Sequence, residues 1–108
     1  MLVKTYGSTL IGIEAITITV EVYVGQGQKF SLVGLPDSAV KESQERIWAA
    51  LRNNGYRWPG FKITINMAPA DLKKEGSAYD LTIAMGILAA SEQIKDDQLK
   101  DYLIMGEL

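Results

Sequence analysis

Asn66-Met67-Ala68-Pro69-Ala70-Asp71-Leu72-Lys73-Lys74-Glu75-Gly76-Ser77-Ala78-Tyr79-Asp80, continuing as Leu81-Thr82-Ile83-Ala84-Met85-Gly86-Ile87-Leu88-Ala89-Ala90-Ser91, sets a strand end, a charged loop and an apolar helix in succession. Just before it, Ile63, Ile65 and Met67 alternate with Lys62, Thr64 and Asn66, the period of a half-buried strand. The loop carries Asp71, Lys73, Lys74 and Glu75. The pattern then predicts a helix over roughly residues 78–92. Leu81, Ala84, Met85 and Leu88 share one face, while Ile83 and Ile87 cover much of the other. A helix apolar nearly all round is buried between layers or against a partner.

Upstream, residues 15–24 alternate cleanly: Ile16, Ile18, Val20, Val22 and Val24 against Thr17, Thr19, Glu21 and Tyr23. This predicts a half-buried antiparallel strand. Residues 2–10 read as a shorter strand before it, with Gly7-Ser8 as a bulge or turn. Gly25-Gln26-Gly27-Gln28 supplies a turn, and Phe30 to Val33 a third strand. Gly34-Leu35-Pro36-Asp37 breaks that strand and starts a helix capped by Asp37 or Ser38. Val40, Ile47 and Leu51 form its buried stripe, and Asn53-Asn54-Gly55 its left-handed stop. Residues 94–101 suggest a short polar turn or helix, and residues 102–108 a last strand. The order β-β-β-α-β-α-(short helix)-β predicts an α+β fold with two layers, a mixed sheet with helices on one face. Residues 1–108 read as a single domain. The chain stops inside an expected strand, which predicts a fragment of a longer parent.

The sequence has 108 residues, is 47% hydrophobic and carries a formal net charge of −2, with neither cysteine nor histidine. Thiol nucleophiles, disulfides, imidazole bases and the usual zinc ligands are thereby excluded. No global basic field recruits nucleic acid. No apolar run reaches the ~20 residues that span a bilayer, so a soluble, cytoplasmic protein is expected, with no membrane partner.

Four kinds of chemistry remain to be weighed. Lys73, Lys74 and Gly76 precede a helix N-terminus, but the glycine pattern of a phosphate-binding loop is missing. Asp71, Glu75 and Asp80 are oxygen donors without the spacing of a cation loop; Asp80 is expected to complement the helix dipole and cap free N–H groups. Ser77 beside two lysines suggests acyl transfer only if a lysine is desolvated, which a polar loop argues against; a capping serine is the simpler expectation. For nucleic acid, Lys41, Arg46, Arg52, Arg57 and Lys62 are possible contacts, with Tyr56, Trp58 and Phe61 as stacking surfaces. Accordingly no catalytic, cofactor-binding or metal residue is assigned. Gly34, Pro36, Asp37, Gly55, Pro69, Gly76, Ser77 and Asp80 are expected to serve architecture.

Two long motifs carry a resemblance. Residues 33–43, Val-Gly-Leu-Pro-Asp-Ser-Ala-Val-Lys-Glu-Ser, with Asn53-Asn54-Gly55-Tyr56, and residues 65–71 with 74–81, resemble the N-terminal domain of the magnesium-chelatase-like AAA+ ATPases, the YifB/ComM family. The resemblance implies a fold like the Lon protease proteolytic domain and the second domain of a small-subunit ribosomal protein, with a left-handed β-α-β crossover. It implies a parent that continues into an ATPase module binding ATP and magnesium, self-associates into a ring, and drives DNA branch migration during natural transformation. The fragment itself would hold no cofactor. Lys41, Arg46, Lys73 and Lys74 are then the candidate DNA or interface contacts. Lon-type proteases place their nucleophile in a Lys-Asp-Gly-Pro-Ser-Ala-Gly loop. Here an ungapped match puts Ala78 at that position, and a one-residue gap puts Ser77 there. The implied role is a non-catalytic accessory domain, as in RadA-type recombination proteins; the alternative is a degenerate serine peptidase using Ser77.

Overall fold

The computed structural model describes all residues, 1–108. Two long strands, β1 (Leu2–Ile11) and β2 (Glu14–Gly25), form an antiparallel hairpin. β3 (Phe30–Val33) is followed by α1 (Ser38–Lys41), α2 (Ser43–Asn53) and β4 (Lys62–Ala68). β4 inserts between β2 and β3, antiparallel to the first and parallel to the second, so the sheet order is β1-β2-β4-β3. The turn at residues 25–28 therefore does not close a hairpin; it carries the chain to the far edge. α3 (Asp80–Ala90) and a single 3-10 turn, Leu99–Asp101, complete the elements. The result is the expected α+β arrangement with a mixed sheet.

The alternation seen in sequence decides which face is covered. Val22 pairs with Val3 and Ile65, and Val20 with Thr5 and Met67, so one face presents a continuous apolar surface. Ile18, Val24 and Ile63 extend it, and Val40, Ile47, Leu51, Ile83 and Ile87 close it from the helix side. Each such aliphatic side chain contributes about 1.5–3 kcal/mol of burial. On the opposite face Lys4, Glu21 and Asn66 lie in register, with Lys4 and Glu21 3.8 Å apart. α3 is buried nearly all round, as its composition predicts. It rests on the hairpin: the Thr5 hydroxyl donates to the Thr82 carbonyl at 2.8 Å, and Gly86 lets Val22 approach the helix backbone.

Three expectations need correction. Gly7-Ser8 makes neither a bulge nor a turn; Gly7 pairs with Ile18 and Ser8 with Thr17 in an unbroken ladder. What Gly7 provides is room for the Tyr79 ring, which a Cβ would meet at 3.3 Å. The first helix is interrupted at Glu42. The Arg46 guanidinium donates to the Ala39 carbonyl at 2.7 Å, occupying the acceptor that the Ser43 N–H would use in an unbroken helix. The segment at residues 102–108 is extended but forms no ladder. Ile104 N–H bonds to the Tyr6 carbonyl, while Gly106 pairs with Ala78 and Leu81. The free N–H groups at the start of α3 compete for this segment and win part of it.

Candidate functional site

The loop joining β4 to α3 leaves the sheet at a cis Ala68–Pro69 bond and folds back over residues 34–37. Backbone bonds tie the two segments together: Lys74 N–H to the Leu35 carbonyl and Asp37 N–H to the Lys74 carbonyl, both 2.9 Å. Gly34 makes this possible. Its φ is +110°, and a Cβ there would be driven into the Met67 carbonyl.

Lys74 departs from the expectation of a solvated loop. It is fully buried, and its ammonium donates to the carbonyls of Gly34, at 2.6 Å, and Pro69. Burial pushes its pKa below the ordinary lysine value, against the opposing charge of Asp71. The side chain is thus a bolt between the end of β3 and the start of the loop, and it presents no ammonium to a surface ligand. Asp37 works beside it. One carboxylate oxygen accepts the Val40 N–H at 2.8 Å, capping α1, and the other accepts the Gly76 N–H at 3.0 Å. Desolvation, the largest single influence, pushes the Asp37 carboxyl up. The two amide hydrogen bonds and the Lys73 charge outweigh it, so its pKa lies below the usual carboxylate value.

Asp80 opens α3 but does not cap it. Its buried carboxylate receives the Arg46 guanidinium through two hydrogen bonds, 2.7 and 2.9 Å, and the Leu108 N–H at 3.3 Å. The hydrogen bond to Asp80, and then that charge, hold Arg46 above its ordinary pKa. Ser77 does not cap the helix through its side chain either: its hydroxyl donates to the Glu107 carboxylate, and its carbonyl accepts the Asp80 N–H at 3.2 Å. Lys74 and Ser77 therefore spend their polar atoms on different partners.

The four named cations divide accordingly. Lys41 and Lys73 are exposed. Arg46 is committed to Asp80 and Ala39, and Lys74 lies in the interior. The wider basic patch does not gather either. Arg52 stacks over Trp48 on the outside of α2, at 5.4 Å, while Arg57 and Lys62 sit at the opposite end of the sheet from Arg46. The buried role of Lys74 had no signal in its own neighbourhood; its acceptors lie 40 and 5 residues away.

Comparison with known proteins places the chain. It is 50% identical over 99 residues to the uncharacterized protein YifB of Escherichia coli (strain K12), covering 91% of this chain and 20% of that one. It is 46% identical over 104 residues to the competence protein ComM of Haemophilus influenzae, covering 95% of this chain and 20% of that one. An uncharacterized protein of Mycobacterium tuberculosis (strain ATCC 25618 / H37Rv) is 34% identical over 106 residues, 97% of this chain and 21% of its own length. The chain thus spans about a fifth of the length of these relatives. Residues 20–108 match the family described as subunit ChlI of Mg-chelatase, and the chain belongs to that family.

Proposed function

We propose that this chain is the N-terminal accessory domain of a ComM-type hexameric AAA+ motor that drives branch migration when transforming DNA is integrated. In this reading the parent binds ATP and magnesium through a separate module in the cytoplasm. The domain supports ring assembly and offers a DNA contact, and it performs no cleavage. The likeness to the competence protein ComM over nearly the whole chain carries the proposal. The loop geometry supports the architectural half, because Lys74, Asp37, Arg46 and Asp80 all bond within the domain. Lys41 and Lys73 remain as exposed cations for an interface or a phosphate backbone. Alanine at both positions in the full-length parent is expected to weaken ring formation, read by analytical ultracentrifugation, or DNA affinity. Unchanged values for both would remove these residues from the function.

One observation favours the peptidase alternative: burial depresses the Lys74 pKa, which a Ser–Lys pair requires. Its ammonium, however, faces the carbonyls of Gly34 and Pro69, and the Ser77 hydroxyl faces Glu107. A serine-directed phosphonate that labels the full-length parent, and fails to label Ser77→Ala, would establish cleavage chemistry instead.

A further inference from the structure

At the end of the sheet opposite Lys74, the loop between α2 and β4 leans against the C-terminal end of α3 and leaves a cleft of about 520 Å³. That volume lies within the ~300–1,000 Å³ of small-ligand sites. Its wall is braced from behind. Gln93 accepts the Arg57 N–H at 2.8 Å and donates to the Arg57 carbonyl at 2.9 Å, so both backbone groups are fixed while the guanidinium stays free. Trp58 is half-buried and stacked on Phe30, with centroids 6.0 Å apart. Pro59 is buried, whereas Phe61 is 58% exposed.

The charges are equally one-sided. The chain's ion pairs are Lys4–Glu21 and Arg46–Asp80, so Arg57, Lys29 and Lys62 are all unpaired. Arg57 lines the cleft, Lys62 follows Phe61, and the Lys29 carbonyl accepts the Ile63 N–H at 2.8 Å. The opposite wall holds Glu92 and the carbonyl end of α3, which repel phosphate and favour base donors.

We propose that this cleft takes an unpaired nucleobase of a DNA single strand, stacked on Phe61, with the flanking phosphates lying along Arg57, Lys62 and Lys29. The proposal rests on the reading of the chain as part of a DNA motor and adds a DNA contact at the end of the sheet away from Lys41 and Lys73. Exposed aromatics beside unpaired cations form the usual platform for single strands, and stacking tolerates any base. An apolar ligand would leave the three cations idle. A free nucleotide offers the same base and phosphate chemistry, but it does not need cations spread beyond the cleft.

The test uses a fluorescent oligothymidylate at low salt, with anisotropy as the readout and Trp58 quenching followed in a Trp48→Phe background. Phe61→Ala and Phe61→Leu are expected to weaken binding about tenfold, and Phe61→Trp to restore it. Arg57→Ala should lower affinity and reduce the slope of log K against log salt by about one. Lys100→Ala should change nothing. Binding that survives the Phe61 and Arg57 variants would overturn the cleft and leave the DNA reading standing elsewhere on the surface. No binding at all would overturn both the cleft and the DNA contact, leaving only the assembly role. Quenching by thymidine monophosphate or ATP as strong as by the oligomer would overturn the strand in favour of a free nucleotide.

Discussion

Lys74 and Arg57 are both cations in the loops that bracket β4, yet the fold treats them in opposite ways. Lys74 is enclosed, its ammonium closing the gap between two carbonyls, and Asp37, Arg46 and Asp80 around it are likewise paired. Arg57 is held only by its backbone, and its guanidinium has no partner. Polarity in sequence does not separate the two; the direction in which the side chain points does. A buried, paired polar group costs several kcal/mol to disturb, whereas an exposed unpaired one affects stability little. The two ends should therefore fail in different measurements.

The sharpest way to break the Lys74 end is Gly34→Ala. A methyl group there collides with the Met67 carbonyl at a φ no other residue adopts readily. The expected loss is about 4 kcal/mol or more, read as a collapsed urea midpoint or failure to fold. Arg46→Ala comes next, at about 3 kcal/mol, because it strands a buried carboxylate; the partial exposure of Arg46 keeps the figure at the low end. Asp80→Asn added to Arg46→Ala should recover part of that loss, which separates a stranded charge from simple lost packing.

Lys74→Met keeps the stem and removes the donors. It should cost about 2 kcal/mol by leaving the Gly34 and Pro69 carbonyls without partners. Its pH dependence is more telling. Folding depresses the Lys74 pKa, so between the folded value and the unfolded one, ~10.4, the unfolded chain binds the extra proton. Native stability then rises with pH through that window, and the variant lacks the rise. Urea midpoints taken from neutral to alkaline pH should show the gap between the two proteins widening. A constant gap would mean that Lys74 does not titrate differently in the two states.

Asp37→Ala follows, at about 1–2 kcal/mol for the lost cap and the lost Gly76 contact. Here the folded pKa is depressed below that of the unfolded carboxyl, so the contribution is fully present above ~4 and disappears as pH falls through the folded value. Acid titration of the native protein should lose stability there, and the alanine variant should lose less.

How far the sequence reveals these ends follows from the range of the forces. Strands β2 and β4 and the buried nature of α3 were legible because alternation and all-round apolarity are local patterns, whereas the unbroken run of β1 through Gly7 and Ser8 depends on its pairing with β2. The same locality explains the misses. The helix break at Glu42 depends on Arg46 reaching the Ala39 carbonyl, drawn there with Asp80, 34 residues on. The loss of a ladder at residues 102–108 depends on N–H groups at the start of α3. The solvated reading of Lys74 failed because its two acceptors become neighbours only when β3 and β4 pair. At the other end, Arg57, Trp58 and Phe61 stood out by residue type. The Gln93 brace behind them joins residues 36 apart and left no trace in spacing.

The smallest expected effect sharpens the comparison most. Arg57→Ala removes an exposed guanidinium and leaves both Gln93 hydrogen bonds in place, since these go to the backbone. Its stability change should fall within about 0.5 kcal/mol. Gln93→Ala is the matching control. It leaves the guanidinium but frees the loop, and costs about 1 kcal/mol for the two lost bonds. If Arg57→Ala proved as damaging as Arg46→Ala, its side chain would have to be structural, and the contrast between the ends would vanish. If instead Arg57→Ala is silent in urea while Gln93→Ala is not, the loop is braced for something other than its own folding. A rigid backbone carrying a free cation and an exposed ring is the arrangement that lowers the ordering cost of binding.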